Sequence, residues 1–92
     1  MSKVTEETRI KREIKDWLTY NGWFHFHVLQ GLGAYKGIPD IIAIRKGKTL
    51  YIEVKTPRGR LSEYQKIFRT NIEAAGGLYI VATGYVDIES AL

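Results

Sequence analysis

Apolar residues recur at helical spacing early in the chain, at Ile10, Ile14, Trp17 and Leu18, with Lys11, Arg12, Lys15 and Asp16 on the other side. This pattern predicts an amphipathic helix from Thr5 to Tyr20. Ser2 or Thr5 is placed to cap it, Glu6 and Glu7 suit the positive end of its dipole, and Asn21-Gly22 ends it. The period then changes to two. From Trp23 to Leu29, Phe24, Phe26 and Val28 alternate with Trp23, His25 and His27, which predicts a strand. Gln30 to Gly37 holds three glycines and reads as a loop.

Ile41-Ile42-Ala43-Ile44 is apolar on both faces, as a central strand would be. Arg45-Lys46-Gly47-Lys48 makes a turn. From Thr49 to Lys55, Leu50, Ile52 and Val54 share one face, and Tyr51, Glu53 and Lys55 share the other. Pro57 keeps the basic loop Thr56–Arg60 out of that strand. A second helix begins at Ser62, takes its apolar face from Tyr64, Phe68, Ile72 and Ala75, and stops at Gly76-Gly77. Leu78 to Ala82 is a last short strand, and Val86 to Leu92 fits one or two helical turns. The expected fold is α/β (α+β): a small mixed β-sheet flanked by helices, in the order α-β-β-β-α-β. Repeats, linkers and low-complexity segments are absent, so one domain spanning 1–92 is expected.

Composition narrows the function classes. Ninety-two residues with 45% hydrophobic content suit one small folded domain. A net charge of +4 favours a polyanionic partner. The absence of cysteine excludes a disulfide framework and a thiolate metal site. No apolar run reaches membrane-spanning length, and the start Met1-Ser2-Lys3-Val4-Thr5 lacks a signal-peptide core. A cytoplasmic location with no membrane partner is therefore expected.

The candidate chemistry lies in Gly37-Ile38-Pro39-Asp40 and in Glu53-Val54-Lys55, thirteen residues beyond that aspartate. Two carboxylates can hold a divalent cation, and a lysine can stabilise charge or help activate water, which is what cutting a phosphodiester requires. Hairpin arithmetic brings them together. If Lys46-Gly47 is a two-residue loop, Arg45 pairs with Lys48 and Asp40 falls opposite Glu53. A three-residue loop would place Asp40 beside Val54 instead. Two carboxylates facing across a sheet repel unless a cation or a lysine offsets them, a conflict expected at a functional site.

This combination resembles the VRR-NUC (virus-type replication-repair nuclease) domain of the PD-(D/E)xK superfamily, over nearly the whole chain. The family pattern is a helix carrying an acid, Gly-x-Pro-Asp before a core strand, Glu-x-Lys, then a helix with a glutamine near its start. It falls here on Glu7, Gly37-Ile38-Pro39-Asp40, Glu53-Val54-Lys55 and Gln65. The resemblance implies a restriction-endonuclease-like core. Asp40 and Glu53 would bind Mg²⁺ or Mn²⁺, with the Val54 backbone carbonyl a third ligand. Lys55 would orient water or stabilise the charge growing on the phosphate. It implies 5′-phosphate and 3′-hydroxyl products, and, for stand-alone members, homodimers selective for branched DNA such as four-way (Holliday) junctions.

Two of these positions have a second reading. Glu7 lies three residues before Ile10 and seven before Ile14, in register with the apolar face, so its carboxylate is expected to point toward the sheet and help bind the metal. It also suits the helix dipole, as Glu6 does. Ser62-x-x-Gln65 is a capping box as well as the family's glutamine position. Tyr35, Lys36, Arg58, Arg60, Lys66 and Arg69 are candidate DNA contacts that would give affinity without sequence reading. His25 and His27 read as exposed strand histidines, and Gly31-x-Gly33 as a flexible loop. The alternatives are a nicking or restriction-type endonuclease of the same superfamily and a non-catalytic nucleic-acid-binding module.

Overall fold

The first helix, α1 (Glu6–Tyr20), forms where the 3.6-residue period is strongest. Thr5 caps it, its hydroxyl oxygen accepting the Thr8 N–H at 3.1 Å. The computed structural model describes residues 4–92, so the alternative cap Ser2, and the first three residues of the start read as leaderless, lie outside it. Ile10, Ile14 and Leu18 are buried along one stripe. The chain leaves the helix at Asn21 and turns through Gly22 into β1 (Phe24–His27), two residues shorter at its far end than the alternation predicts. There the glycine-bearing loop begins.

The sheet continues through β2 (Ile41–Arg45), β3 (Lys48–Val54) and β4 (Leu78–Ala82), in the spatial order β1-β2-β3-β4. The first two pairings are antiparallel and β3–β4 is parallel. A parallel pair needs a long crossover, and α2 (Glu63–Ala74) supplies it. A third helix, α3 (Tyr85–Ala91), completes the order. Lys46 (φ 49°) and Gly47 (φ 78°) both have positive φ, the geometry of a two-residue type I′ hairpin. Arg45 accordingly pairs with Lys48 and Ile41 with Ile52, the two-residue alternative.

The core lies on one face of the sheet. Ile41, Ala43, Leu50, Ile52, Val54, Ile80 and Ala82 pack there against Ile10, Ile14 and Leu18 of α1 and Ile88 of α3. Burying each large aliphatic side chain contributes about 1.5–3 kcal/mol. On the opposite face α2 covers β3 and β4, its Phe68 ring lying 6.3 Å from Tyr51 and 6.4 Å from Tyr79. On the rest of that face Phe24, Phe26 and Ile44 are exposed and Ile42 is half-buried. Parity along β1 turns the histidines the other way. His25 is half-buried rather than exposed, because it faces α1 and its Nε2 lies 2.8 Å from the Thr19 hydroxyl; His27 is exposed. No helix among the described residues is long and apolar enough to cross a membrane.

Candidate active site

Asp40 sits one residue before β2, where the β2–β3 ladder runs out. The next step beyond Ile41↔Ile52 places it opposite Glu53. There the aspartate side chain takes over from the backbone: Oδ2 accepts the Val54 N–H at 2.8 Å. The Asp40 backbone carbonyl accepts the Val28 N–H, also at 2.8 Å, tying it to the β1 side. Oδ1 accepts from the Gln30 amide at 3.1 Å and lies 3.4 Å from the Lys11 ammonium. Only 4% of Asp40 is exposed.

Glu53 is 2% exposed and follows the alternation of β3 onto the face that α2 covers. Its Oε2 lies 3.8 Å from the Lys55 ammonium, and its Oε1 is buried without a hydrogen-bond partner. Burial, then the negative charge of Asp40 and a hydrogen bond to it, push the Glu53 carboxyl up to about 8; Lys55 and Lys11 pull the other way. Each acid thus has its own lysine, which offsets part of the repulsion between the two carboxylates. Val54 lies between Glu53 and Lys55. In an extended strand a residue's N–H and C=O point to the same edge, so the Val54 N–H aimed at Asp40 puts its carbonyl on that side as well. Three hard oxygen donors are thereby brought to one rim of the sheet.

Lys55 is the first residue past β3, yet it stays anchored, its N–H donating to the Ala82 carbonyl at 3.0 Å. Its aliphatic stem packs against Gly59, where an added Cβ would lie 3.3 Å from Lys55 Cδ. The basic loop therefore runs beside the site, with Arg58 and Arg60 exposed on either side of that glycine.

Glu7 is open to solvent rather than turned into the sheet. Burial along α1 begins only at Ile10, a turn further on, so the first turn overhangs the sheet and Glu7 occupies a position where acids complement the helix dipole. Among the described residues no three His, Cys, Asp or Glu side chains form a group able to hold a metal, so Glu7 does not complete such a trio with Asp40 and Glu53. Gln65 makes the capping box: its Oε1 accepts the Ser62 N–H at 2.8 Å, and its own N–H donates to Ser62 Oγ at 3.2 Å. The same residue lines a cavity of about 320 Å³ with Gln30, Tyr35, Lys36, Gly37 and Tyr64. Gln30 joins that cavity to Asp40, while the two acids do not line it.

Four of the candidate DNA contacts lie on or against α2. Lys36 reaches the Tyr64 hydroxyl at 3.3 Å, and Tyr35 meets Phe68 edge-on at 5.7 Å. Lys66 and Arg69 pair with Glu63 (3.2 Å) and Glu73 (3.4 Å) on their own helix. Such exposed pairs are worth little, so both cations can exchange their partners for phosphate at small cost.

Two residues at the site are additions to those read from sequence: Lys11 and Gln30. Lys11 is not on the outer side of α1. It lies three residues before Ile14 and seven before Leu18, the same relation that singled out Glu7, one turn deeper. That signal was available. Gln30 is one polar residue in a glycine-bearing loop, and nothing local marks it.

The family model of the VRR-NUC domain matches residues 6–85. Among proteins of curated function none matches significantly. Solved structures similar to the chain include the following two. One, described as a VRR_NUC domain, superposes with a TM-score of 0.80 at 19% identity, over 94% of this chain and 92% of that one. The other is Hjc, a Holliday junction resolvase from the archaeal hyperthermophile Archaeoglobus fulgidus. It superposes with a TM-score of 0.61 at 26% identity, over 82% of this chain and 65% of that one.

Proposed function

The chain belongs to the VRR-NUC domain family, and from that membership we propose that it is a divalent-metal-dependent endonuclease that hydrolyses DNA phosphodiesters with selectivity for branched structures, four-way junctions among them. One observation carries the reading: a buried carboxylate, Glu53, with an unpaired oxygen, faces a second buried carboxylate, Asp40, beside Lys55. A scaffold gains nothing from that arrangement, and a cation site needs it. The similarity to a Holliday junction resolvase supports branched DNA as the substrate class.

The donor set fits Mg²⁺ or Mn²⁺. Both prefer oxygen, and Mg²⁺ is commonly held by one or two carboxylates together with substrate phosphate. Asp40, Glu53 and the Val54 carbonyl would hold the ion, with Glu7 within reach only if its exposed side chain swings inward. When bound, such an ion polarises the scissile phosphate and acidifies a water. Asp40 is held in place by Val54, Gln30 and Lys11, so its orientation is set before a ligand arrives. Lys55, half-buried and one residue past the strand, carries a fixed positive charge to where negative charge grows on the phosphate. Arg58 and Arg60 continue that positive surface outward, and Tyr35 and Lys36 flank the site on the other loop. Lys66 and Arg69 extend it along α2. Gln65 steadies the start of α2 and with it the wall of the adjoining cavity.

A homodimer acting in the cytoplasm completes the proposal. A two-fold pair would present one site to each of two strands of a symmetric junction. The test is a panel of duplex, single-stranded, flap, fork and four-way-junction DNA, each with Mg²⁺ and Mn²⁺. Junction cutting is expected to exceed duplex cutting and to be abolished in Asp40→Ala and Lys55→Ala, in a preparation running at twice the 10.5 kDa chain mass. Unchanged cutting by either variant would remove the assignment. A preference for plain duplex would remove the junction selectivity alone, and a monomeric mass would remove the dimer.

A further inference from the structure

The two faces of the sheet are covered unequally. α1 and α3 pack on one, while on the other α2 reaches only β3 and β4. Phe24 pairs with Ile44, Phe26 with Ile42, and Ile42 with Tyr51, so these side chains share the face on which α2 lies. They lie outside the helix: Phe24 is 68% exposed, Phe26 43% and Ile44 36%, and the two phenylalanine rings meet at 5.9 Å. α2 forms a wall beside this apolar floor. Its Arg69 lies over Tyr79 of β4, so Ile67, about 200° around the helix, is on the flank turned toward β2 and is also exposed. An apolar sheet face needs a second layer to cover it.

Charge decides what that layer is. From Trp17 to Tyr35, a stretch that includes all of β1, the chain has no Asp, Glu, Lys or Arg, although these make up 26% of it. Arg45, the charged residue of β2, turns to the other face and lies 5.0 Å from the Trp23 ring centre. A floor without cations suits DNA poorly, since phosphate affinity comes from Lys and Arg. It suits a second copy well. Each copy carries +4, and two of them approach best where no charges are brought together. Aromatic side chains with few charges are also what the centre of a protein interface contains. An aromatic side chain offers about 150–250 Å², so Phe24 and Phe26 leave on the order of 200 Å² uncovered. That is roughly a quarter of the 800 Å² that each partner of a stable pair buries, before Ile44 and the α2 flank are added.

We propose that this face is where two copies of the chain join: Phe24, Phe26, Ile42 and Ile44 of one pack on the same side chains of the other, about a two-fold axis parallel to the strands. The surface rests on the homodimer proposed above and gives it a location. Such an axis lays β1 over the partner's β2, so Phe24 meets the partner's Ile44 and Phe26 the partner's Ile42, with the sheets about 10 Å apart. The Ile67 flank then borders the edge of the partner sheet. The axis leaves strand direction unchanged, so Asp40 and Glu53 of both copies come to one end of the pair, where a single branched substrate can meet both.

The test is molecular mass by sedimentation equilibrium. The unaltered chain is expected at twice 10.5 kDa, as is Val86→Glu, a control on exposed α3. Phe24→Glu is expected at half that mass, because pairing would bury carboxylates with no partner. If Phe24→Glu kept the doubled mass, this surface would be wrong and the homodimer would stand; loss of junction binding by that doubled species would give the face to DNA. A monomeric unaltered chain would remove the homodimer and the surface together, and neither result bears on the metal site. If Phe24→Glu did not fold, hydroxyl-radical footprinting of the unaltered protein over a dilution series would decide. Oxidation of Phe24 and Phe26 is expected to rise as the mass falls, and a constant level would overturn the proposal.

Discussion

Glu53 is the side chain through which pH should act on this protein. Its carboxyl is raised from an ordinary 4.5 to about 8 by burial and by Asp40. The folded chain therefore holds a proton in the interval where the unfolded chain has given it up. The stabilisation is complete below about pH 4.5 and is lost as pH climbs through about 8. In chelator, the melting midpoint is expected to fall across that interval, and Glu53→Gln to flatten the fall. A midpoint that stays level or rises in the unaltered protein would contradict the raised carboxyl. Among single side chains, Asp40, Glu53 and Lys55 could be read from their spacing. Lys11 could have been, since it stands to Ile14 and Leu18 as Glu7 stands to Ile10 and Ile14. Position along a helix says which face a residue is on, but not whether the sheet reaches that far. Glu7 is therefore exposed while Lys11 lies against Asp40.

The elements hold the site through two tight features. One is the type I′ turn at Lys46-Gly47, which sets the register that places Asp40 across from Glu53. The other is the close approach of Gly37 to the start of α2. Gly37 has φ +82°, and a Cβ there would collide with the Tyr64 backbone carbonyl. Gly33 also has positive φ but nothing within 4 Å of an added Cβ. The two glycines should therefore respond differently to alanine. Gly37→Ala combines backbone strain with overpacking and is expected to cost roughly 1–3 kcal/mol in urea denaturation. Gly33→Ala carries the strain alone and should cost less, about 1 kcal/mol. Equal losses would mean that the contact between Gly37 and α2 does not constrain the fold. The strand–turn–strand register was legible only to within one residue, since the sequence allows a two- or a three-residue loop; positive φ at both Lys46 and Gly47 decides for two. The Gly37–Tyr64 contact was not legible, because it joins residues far apart in the chain.

Across the molecule as a whole, the +4 charge acts through where the cations sit. Arg58 and Arg60 are exposed on the loop beside Lys55, without an ion pair among the described residues. If both meet phosphate, DNA affinity should fall with salt, and replacing both by alanine should make the slope of log affinity against log salt shallower by about 2. Fluorescence anisotropy over a salt series measures this, and an unchanged slope would exclude these two residues from the DNA contact. Charge totals cannot make this distinction, since Lys66 and Arg69 contribute equally to the sum while pairing with acids on their own helix.

Local physics was enough to write down the helices, the strands, two candidate hairpin registers and the acid–acid–lysine constellation, because period, caps and turn chemistry act between near neighbours. Everything that depends on β3 meeting β4, or on α1 and the loop from Gln30 reaching Asp40, was beyond it. The burial of the two carboxylates and the closing of Lys11 and Gln30 on Asp40 come from the tertiary structure alone. Those are contacts between distant segments, and their energies exist only once the chain has closed around them.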